Sequence, residues 1–208
     1  SFHKTPKIVC SLFPAFTWRI KTEQKEVYLT FDDGPIPSLT KEILDILNQY
    51  SIKATFFCVG ENIDKHPEIF KQVINQGHTV GNHTYNHLKA WKVSQNSYIE
   101  NLLKAEKTIE KYAENRTKLF RPPYGQFTYK LYKSVIALGY QVIMWDILTK
   151  DYSPRLNIKR AYEQCVNQTG KGSIVVFHDN MKARNNALNL LPMYINKLMS
   201  EGYQFKTL

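Results

Sequence analysis

The chain has 208 residues, 43% hydrophobic and 22% charged, with 28 Lys+Arg against 18 Asp+Glu for a formal net charge of +10. This length and balance exclude a disordered or collagen-like chain and leave enough apolar side chains for one self-supporting core. The basic surplus suits an anionic partner such as nucleic acid, a membrane surface or an acidic polymer. Three scattered cysteines, Cys10, Cys58 and Cys165, make no C-x-x-C pair, which argues against a disulfide framework and a cysteine zinc site. No apolar run approaches the ~18 residues that span a bilayer.

Residues 1–26 read as an N-terminal extension packed on a main body of residues 27–208. Lys4 and Lys7 precede a short apolar stretch there, but Pro14 and Trp18 interrupt it and no small-residue cleavage site follows. The chain reads as cytoplasmic, or as a secreted or cell-envelope protein already trimmed. Residues 27–31 predict a strand closing at Asp32-Asp33-Gly34-Pro35. Ser38 is the expected cap of a helix with the apolar stripe Leu39, Ile43, Ile46, Leu47 and Tyr50. Residues 54–59 predict a second strand ended by Gly60. Pro67 opens a helix stopped by Gly77, and a short strand over 79–82 leads into His83. A helix follows over 98–113. The strand at 119–121 is cut off by Pro122-Pro123. Then come a helix over 128–138, a strand over 141–145, a helix over 158–166, a strand over 173–177, a helix over 188–199 and a last strand near 203–206. About seven strands alternate with about six helices, the pattern of βα units on a parallel sheet, either doubly wound or an incomplete β/α barrel.

Ionisable residues fall at the ends of the predicted strands: Asp32 and Asp33 after the first, His83 and His87 after the third, Arg121 at the fourth. Asp146 and Asp151 follow the fifth, and His178 and Asp179 the sixth. In a parallel β/α architecture these ends open on one face, where active sites sit. The H-x₃-H pair His83 and His87, placed on a helical turn, would share a face. With a carboxylate from Asp32 or Asp33 it makes a two-His, one-carboxylate set suited to catalytic Zn²⁺ and equally to non-haem Fe(II). Arg121 has the donors to orient a carboxylate, and His178 is placed for a general acid. His3, His66 and His78 lie outside these ends and read as exposed or local.

Thr30-Phe31-Asp32-Asp33-Gly34-Pro35, His83-Thr84-Tyr85-Asn86-His87, Arg121-Pro122-Pro123-Tyr124-Gly125, the segment 145–152 and Val175-Val176-Phe177-His178-Asp179 stand in the order seen in the polysaccharide deacetylases. The chain resembles these carbohydrate esterases, which include chitin and peptidoglycan N-acetylglucosamine deacetylases, from about residue 27 to its C-terminus. The resemblance implies a distorted, incomplete β/α barrel and metal-dependent removal of N-acetyl groups from an acetylated amino-sugar polymer or oligomer. It implies Asp33, His83 and His87 as ligands of Zn²⁺, with Co²⁺ and Ni²⁺ as other ions. It further implies Asp32 as base, His178 as acid, Arg121 orienting Asp32, and the Tyr124 N–H stabilising an oxyanion. Asp151 would pair with His178, with Asp146 the alternative. Tyr152, Leu148 and Val176 depart from the residues usual at their positions, and these positions line the acetyl pocket.

Three other readings compete. A non-haem iron oxygenase shares the ligand set, but the βα alternation disfavours its usual all-β fold. A non-catalytic carbohydrate-binding module would not need the complete set of ligands, base and acid. Nucleic-acid binding is not expected, because the lysines are spread along helices and form no dense patch; the basic surface fits anionic cell-wall polymers better. Acetylated xylan is an alternative substrate.

Overall fold

The computed structural model describes residues 3–114 and 116–208. Among them, parallel strands β1 (Glu26–Asp32), β2 (Thr55–Cys58), β3 (Thr79–Asn82), β4 (Leu119–Phe120), β5 (Gln141–Val142), β6 (Ile147–Leu148), β7 (Ser173–His178) and β8 (Gln204–Lys206) form one sheet. The hydrogen-bonded path runs β5-β4-β3-β2-β1-β7-β6, and β8 pairs with the first residues of β1. It curls strongly into a half-barrel, the incomplete β/α barrel expected. Around it lie α-helices α1 (Lys7–Leu12), α2 (Leu39–Gln49), α3 (Gly60–Lys65), α4 (Pro67–Asn75), α5 (Gln95–Glu110), α6 (Tyr129–Ala137), α7 (Ile158–Gln168) and α8 (Arg184–Ser200), with short 3₁₀ turns at Ala90–Lys92 and Pro123–Gly125.

Strand side chains alternate between two faces, and here the alternation separates structure from chemistry. Val27, Leu29 and Phe31 of β1 join Phe56 of β2, Val175 and Phe177 of β7 and the buried faces of α2 and α8 in the largest core cluster. Phe31 lies between Phe56 and Phe177, with ring centroids 4.9 and 5.8 Å away. The intervening residues belong to other groups. Tyr28, Phe57 and Ile174 pack with Leu119 and Ile143, while Asp32, Val176 and His178 border a cleft. Because the period is two, a slip of one residue in β1 would exchange Asp32 with Phe31. Both faces are covered, which is why these strands read as near-continuous apolar runs.

The two ends of the path, β5 and β6, are consecutive in sequence, so residues 143–146 span the opening of the half-barrel. The N-terminal segment closes over the same region. Thr17 N–H donates to Val142 O at 2.9 Å, Met144 N–H to Thr17 O at 2.8 Å, and Leu148 N–H to His3 O at 2.7 Å. Phe16 and Trp18 are buried against Phe120, Leu131 and Val142. These contacts occupy backbone groups that an open sheet edge would leave unpaired.

Several local expectations change. The single strand expected over 141–145 is two short strands, because the chain must cross from one end of the path to the other. Helices α1 and α3 are additional. Ser38 has φ 65° and makes no capping bond; the hydroxyl of Thr40 accepts from Ile36 N–H at 2.8 Å. His3 and His78 are buried. His3 Nδ1 lies 2.9 Å from Leu148 O. The Nδ1 of His78 accepts from Ala54 N–H at 3.1 Å, and burial, aided by the Lys53 charge, pushes its pKa down to about 4. Truncating Phe31 to alanine should cost roughly 3–5 kcal/mol in denaturant unfolding, as for other fully buried aromatics; a loss below about 1 kcal/mol would contradict this account of the core.

Candidate active site

The C-terminal ends of β1, β2, β3, β4 and β7 open into a cleft of ≈ 710 Å³ bordered by Asp32, Asp33, His83, His87, Tyr124, Trp145, Leu148, Tyr152, Val176 and His178. Asp33 leaves β1 with φ 88°, a left-handed conformation that Asp tolerates better than most residues. Its N–H donates to Phe57 O at 3.2 Å, and its carbonyl accepts from Asn62 Nδ2 at 2.7 Å. The next residue, Gly34, has no room for a side chain, since a Cβ there would fall 1.8 Å from Asp179 Oδ2.

Oδ1 of Asp33 lies 3.4 Å from His83 Nε2 and 3.0 Å from His87 Nε2. His83 is buried and its Nδ1 lies 2.7 Å from Arg121 O. A carbonyl only accepts, so Nδ1 carries the proton and, in the neutral ring, Nε2 presents a lone pair to the carboxylate. Asp33 Oδ1 is buried without a hydrogen-bond donor. Three potential ligand atoms, one from each residue and within 4.8 Å of one another, thus converge, and the His83 proton lies on the far side of its ring. That is the chemistry of a cation site, and the set fits a divalent ion with positions left open for water and substrate. Burial alone would raise the Asp33 pKa, but when His83 and His87 are protonated their N–H groups hold it well below the usual carboxylate range.

The histidines are joined differently from the expected helical turn. Residues 83–87 form a loop in which Thr84 and His87 have φ of 65° and 57°. The first N–H groups of α3 hold it, Gly60 donating to Thr84 O at 3.0 Å and Glu61 to Tyr85 O at 2.7 Å. Leu88 N–H donates to Thr84 Oγ1 at 3.0 Å. The two ring centroids come within 5.0 Å.

Two further pairs flank the triad. Asp32 Oδ1 accepts from Arg121 Nη1 at 2.8 Å, with Arg121 fully buried. On the other side His178 Nδ1 lies 2.7 Å from Asp151 Oδ1, and the His178 N–H donates to Asp151 Oδ2 at 2.8 Å. Burial works against a charged His178, but the Asp151 carboxylate outweighs it and raises the pKa to about 9. Asp146 is elsewhere, accepting from Ser173 Oγ at 2.9 Å and Ile174 N–H at 2.8 Å; it braces the β6–β7 edge and does not reach His178.

The sequence profile described as Polysaccharide deacetylase matches residues 19–143. A peptidoglycan-N-acetylglucosamine deacetylase of Bacillus cereus is 35% identical over 195 residues, covering 92% of this chain and 90% of that protein. The chain belongs to the polysaccharide deacetylase family. The crystal structure of the Bc1960 peptidoglycan N-acetylglucosamine deacetylase, in complex with 4-naphthalen-1-yl-N-oxidanyl-benzamide, superposes with a TM-score of 0.90 at 31% identity, over 98% of this chain and 95% of that one. BA3943 of Bacillus anthracis, a pseudoenzyme of the same carbohydrate esterase family, superposes at 0.84 with 26% identity, over 94% of this chain and 70% of that one.

Within the deacetylase cleft, Leu148, Tyr152 and Val176 are wall residues. The Tyr152 ring stands edge-on to His178 with centroids 5.0 Å apart. Tyr124 occupies the turn Pro123–Gly125 at φ 60°, its ring edge-on to His87 at 4.6 Å. Two site residues escaped the sequence reading. Asn180 donates from Nδ2 to Asp33 Oδ2 at 2.5 Å, and its place two residues past His178 at a strand end was the available signal. Asn62 had none, since it lies on α3, a six-residue helix without enough periodicity to read.

In metal-free protein His178 should titrate near pH 9, as read by imidazole NMR, and Asp151→Asn should bring it down by at least one unit. The folded value exceeds the unfolded ~6.5. The pair therefore contributes stability that is complete below about pH 6.5 and fades as pH rises through about 9. An unchanged His178 titration in Asp151→Asn would contradict this.

Proposed function

We propose that the chain hydrolyses the N-acetyl groups of N-acetylglucosamine units in a peptidoglycan- or chitin-like glycan, with Asp33, His83 and His87 holding a divalent ion, Zn²⁺ before Co²⁺ or Ni²⁺. One observation carries the reading: a buried Asp33 oxygen with no donor faces two imidazole nitrogens, between a carboxylate fixed by arginine and an imidazole fixed by aspartate. An ion bound there supplies Lewis acidity, polarising the acetyl carbonyl and lowering the pKa of a water from ~15.7 towards ~7.

The chain's own groups do the rest. Arg121 occupies Asp32 Oδ1, leaving Oδ2 to accept the proton of the attacking water. Arg121 acts through Asp32 and is a positioning residue. The Tyr124 N–H donates to the oxyanion as it develops. His178 keeps one proton on Nδ1 towards Asp151 and delivers a second from Nε2 to the amide nitrogen as the carbon–nitrogen bond breaks. That transfer is required because a sugar amine leaves only once protonated. The products are acetate and a free glucosamine unit. Leu148, Val176, Tyr152 and Trp145 give the cleft an apolar wall for the acetyl methyl.

The peptidoglycan activity named for the Bacillus cereus relative favours a cell-wall substrate, and the net charge of +10 suits an anionic polymer. A pseudoenzyme shares the fold, so the fold alone does not decide turnover; the complete set of ligands, base and acid supports it. The test is acetate release from chitin oligomers, peptidoglycan fragments and acetylated xylan, alongside metal analysis. Chelation should abolish release and Zn²⁺ should restore it. Asp32→Asn should lower kcat by at least about 10²–10⁴ with the ion retained. Loss of the ion in that variant would mean that the two aspartates have exchanged roles. Glycan binding by calorimetry with no acetate from any substrate would instead indicate a binding module.

A further inference from the structure

Among the described residues, Asn180 is the side chain that hydrogen-bonds the second oxygen of Asp33. Its Nδ2 donates to Asp33 Oδ2 at 2.5 Å, while its Oδ1 accepts from Ala183 N–H at 3.1 Å in the turn leading into α8. The same N–H is shared with the backbone carbonyl of Asn180, at 3.0 Å. A carboxylate only accepts, so the amide must present its NH₂ to Asp33. On the other side of the carboxylate, Oδ1 faces the Nε2 atoms of His83 and His87. Asn62 holds the Asp33 backbone through its carbonyl, so backbone and carboxylate are each fixed by an asparagine from a different element.

We propose that Asn180 is a positioning residue that makes Asp33 a one-oxygen ligand, an assignment that rests on the metal reading above. A carboxylate free to rotate can offer both oxygens to an ion. With Oδ2 held by the Asn180 amide, Oδ1 alone faces the two imidazoles, which keeps coordination positions open for water and the acetyl oxygen. Groups that orient a ligand in this way typically affect metal affinity by about 10–100-fold when removed.

The experiment titrates metal-free wild type, Asn180→Ala and Asn180→Ser with Zn²⁺ by calorimetry and records the visible spectrum of each Co²⁺ form. Serine keeps an oxygen able to accept from Ala183 N–H but is too short to reach Asp33, so it separates the carboxylate contact from the turn. Both variants should bind Zn²⁺ about 10–100-fold more weakly. Their Co²⁺ bands should weaken and shift as Asp33 becomes two-oxygen. Wild-type affinity and spectrum in both variants would overturn the assignment, as would recovery of wild-type affinity by serine alone, which would place the effect in the turn. If wild type takes up neither ion, the metal reading itself fails.

Discussion

Everything at the cleft depends on the buried guanidinium of Arg121. It donates from Nη1 to Thr30 Oγ1 at 2.6 Å and Asp32 Oδ1 at 2.8 Å, from Nη2 to Met144 O at 2.9 Å, and from Nε to Ile143 O at 3.2 Å. Its plane lies over the Phe57 ring, 4.2 Å from the centroid. Burying such an ion costs several kcal/mol unless it is fully engaged, and here one group crosses the hollow of the half-barrel from β1 to the span joining β5 and β6. Its own carbonyl meanwhile fixes the His83 tautomer. The same residue therefore orders the proposed base through its side chain and a proposed metal ligand through its backbone. Lysine in its place would keep a charge but lose the fork that makes four of these bonds.

The remaining chemistry follows from where strands end. Parallel pairing sets Asp32 beside Phe57 on one side and His178 on the other, so base and acid candidates arrive on adjacent strands with inward side chains. Electrostatics then differentiates them: Arg121 beside Asp32, Asp151 beside His178, imidazoles around Asp33. The Asp151 carboxylate favours a charged His178. The sole buried oxygen of these carboxylates without a donor is the one facing His83 and His87.

How much of this was legible in the sequence follows from length and periodicity. β1 and β7 were readable because six or seven residues show a sustained apolar run ending in charge. β6, with two residues, and α3, with six, are too short to carry a period, and the crossing from β5 to β6 looked like one continued strand. Asp33, His83 and His87 were readable as residue types at strand ends, but not the loop that joins the histidines, because two left-handed residues, Thr84 and His87, are not glycine and leave no turn signature. Ser38 misled because a capping residue type says nothing of its φ. His3 and His78 read as exposed or local because their burial depends on partners 145 and 24 residues away. Asp151 was the expected partner of His178 and Asp146 the alternative, and the bonds of Asp146 to Ser173 and Ile174 separate the two.

The chain belongs to the polysaccharide deacetylase family, and the pseudoenzyme among its neighbours shows that the shared fold is compatible with loss of turnover. The discriminating property is whether Asp33, His83 and His87 close on one ion. X-ray absorption at the zinc edge of the reconstituted protein reads that directly. The account predicts one equivalent of zinc with two imidazole nitrogens and oxygen ligands at about 2.0–2.2 Å. A first shell containing sulfur, or fewer than two imidazoles, would contradict it.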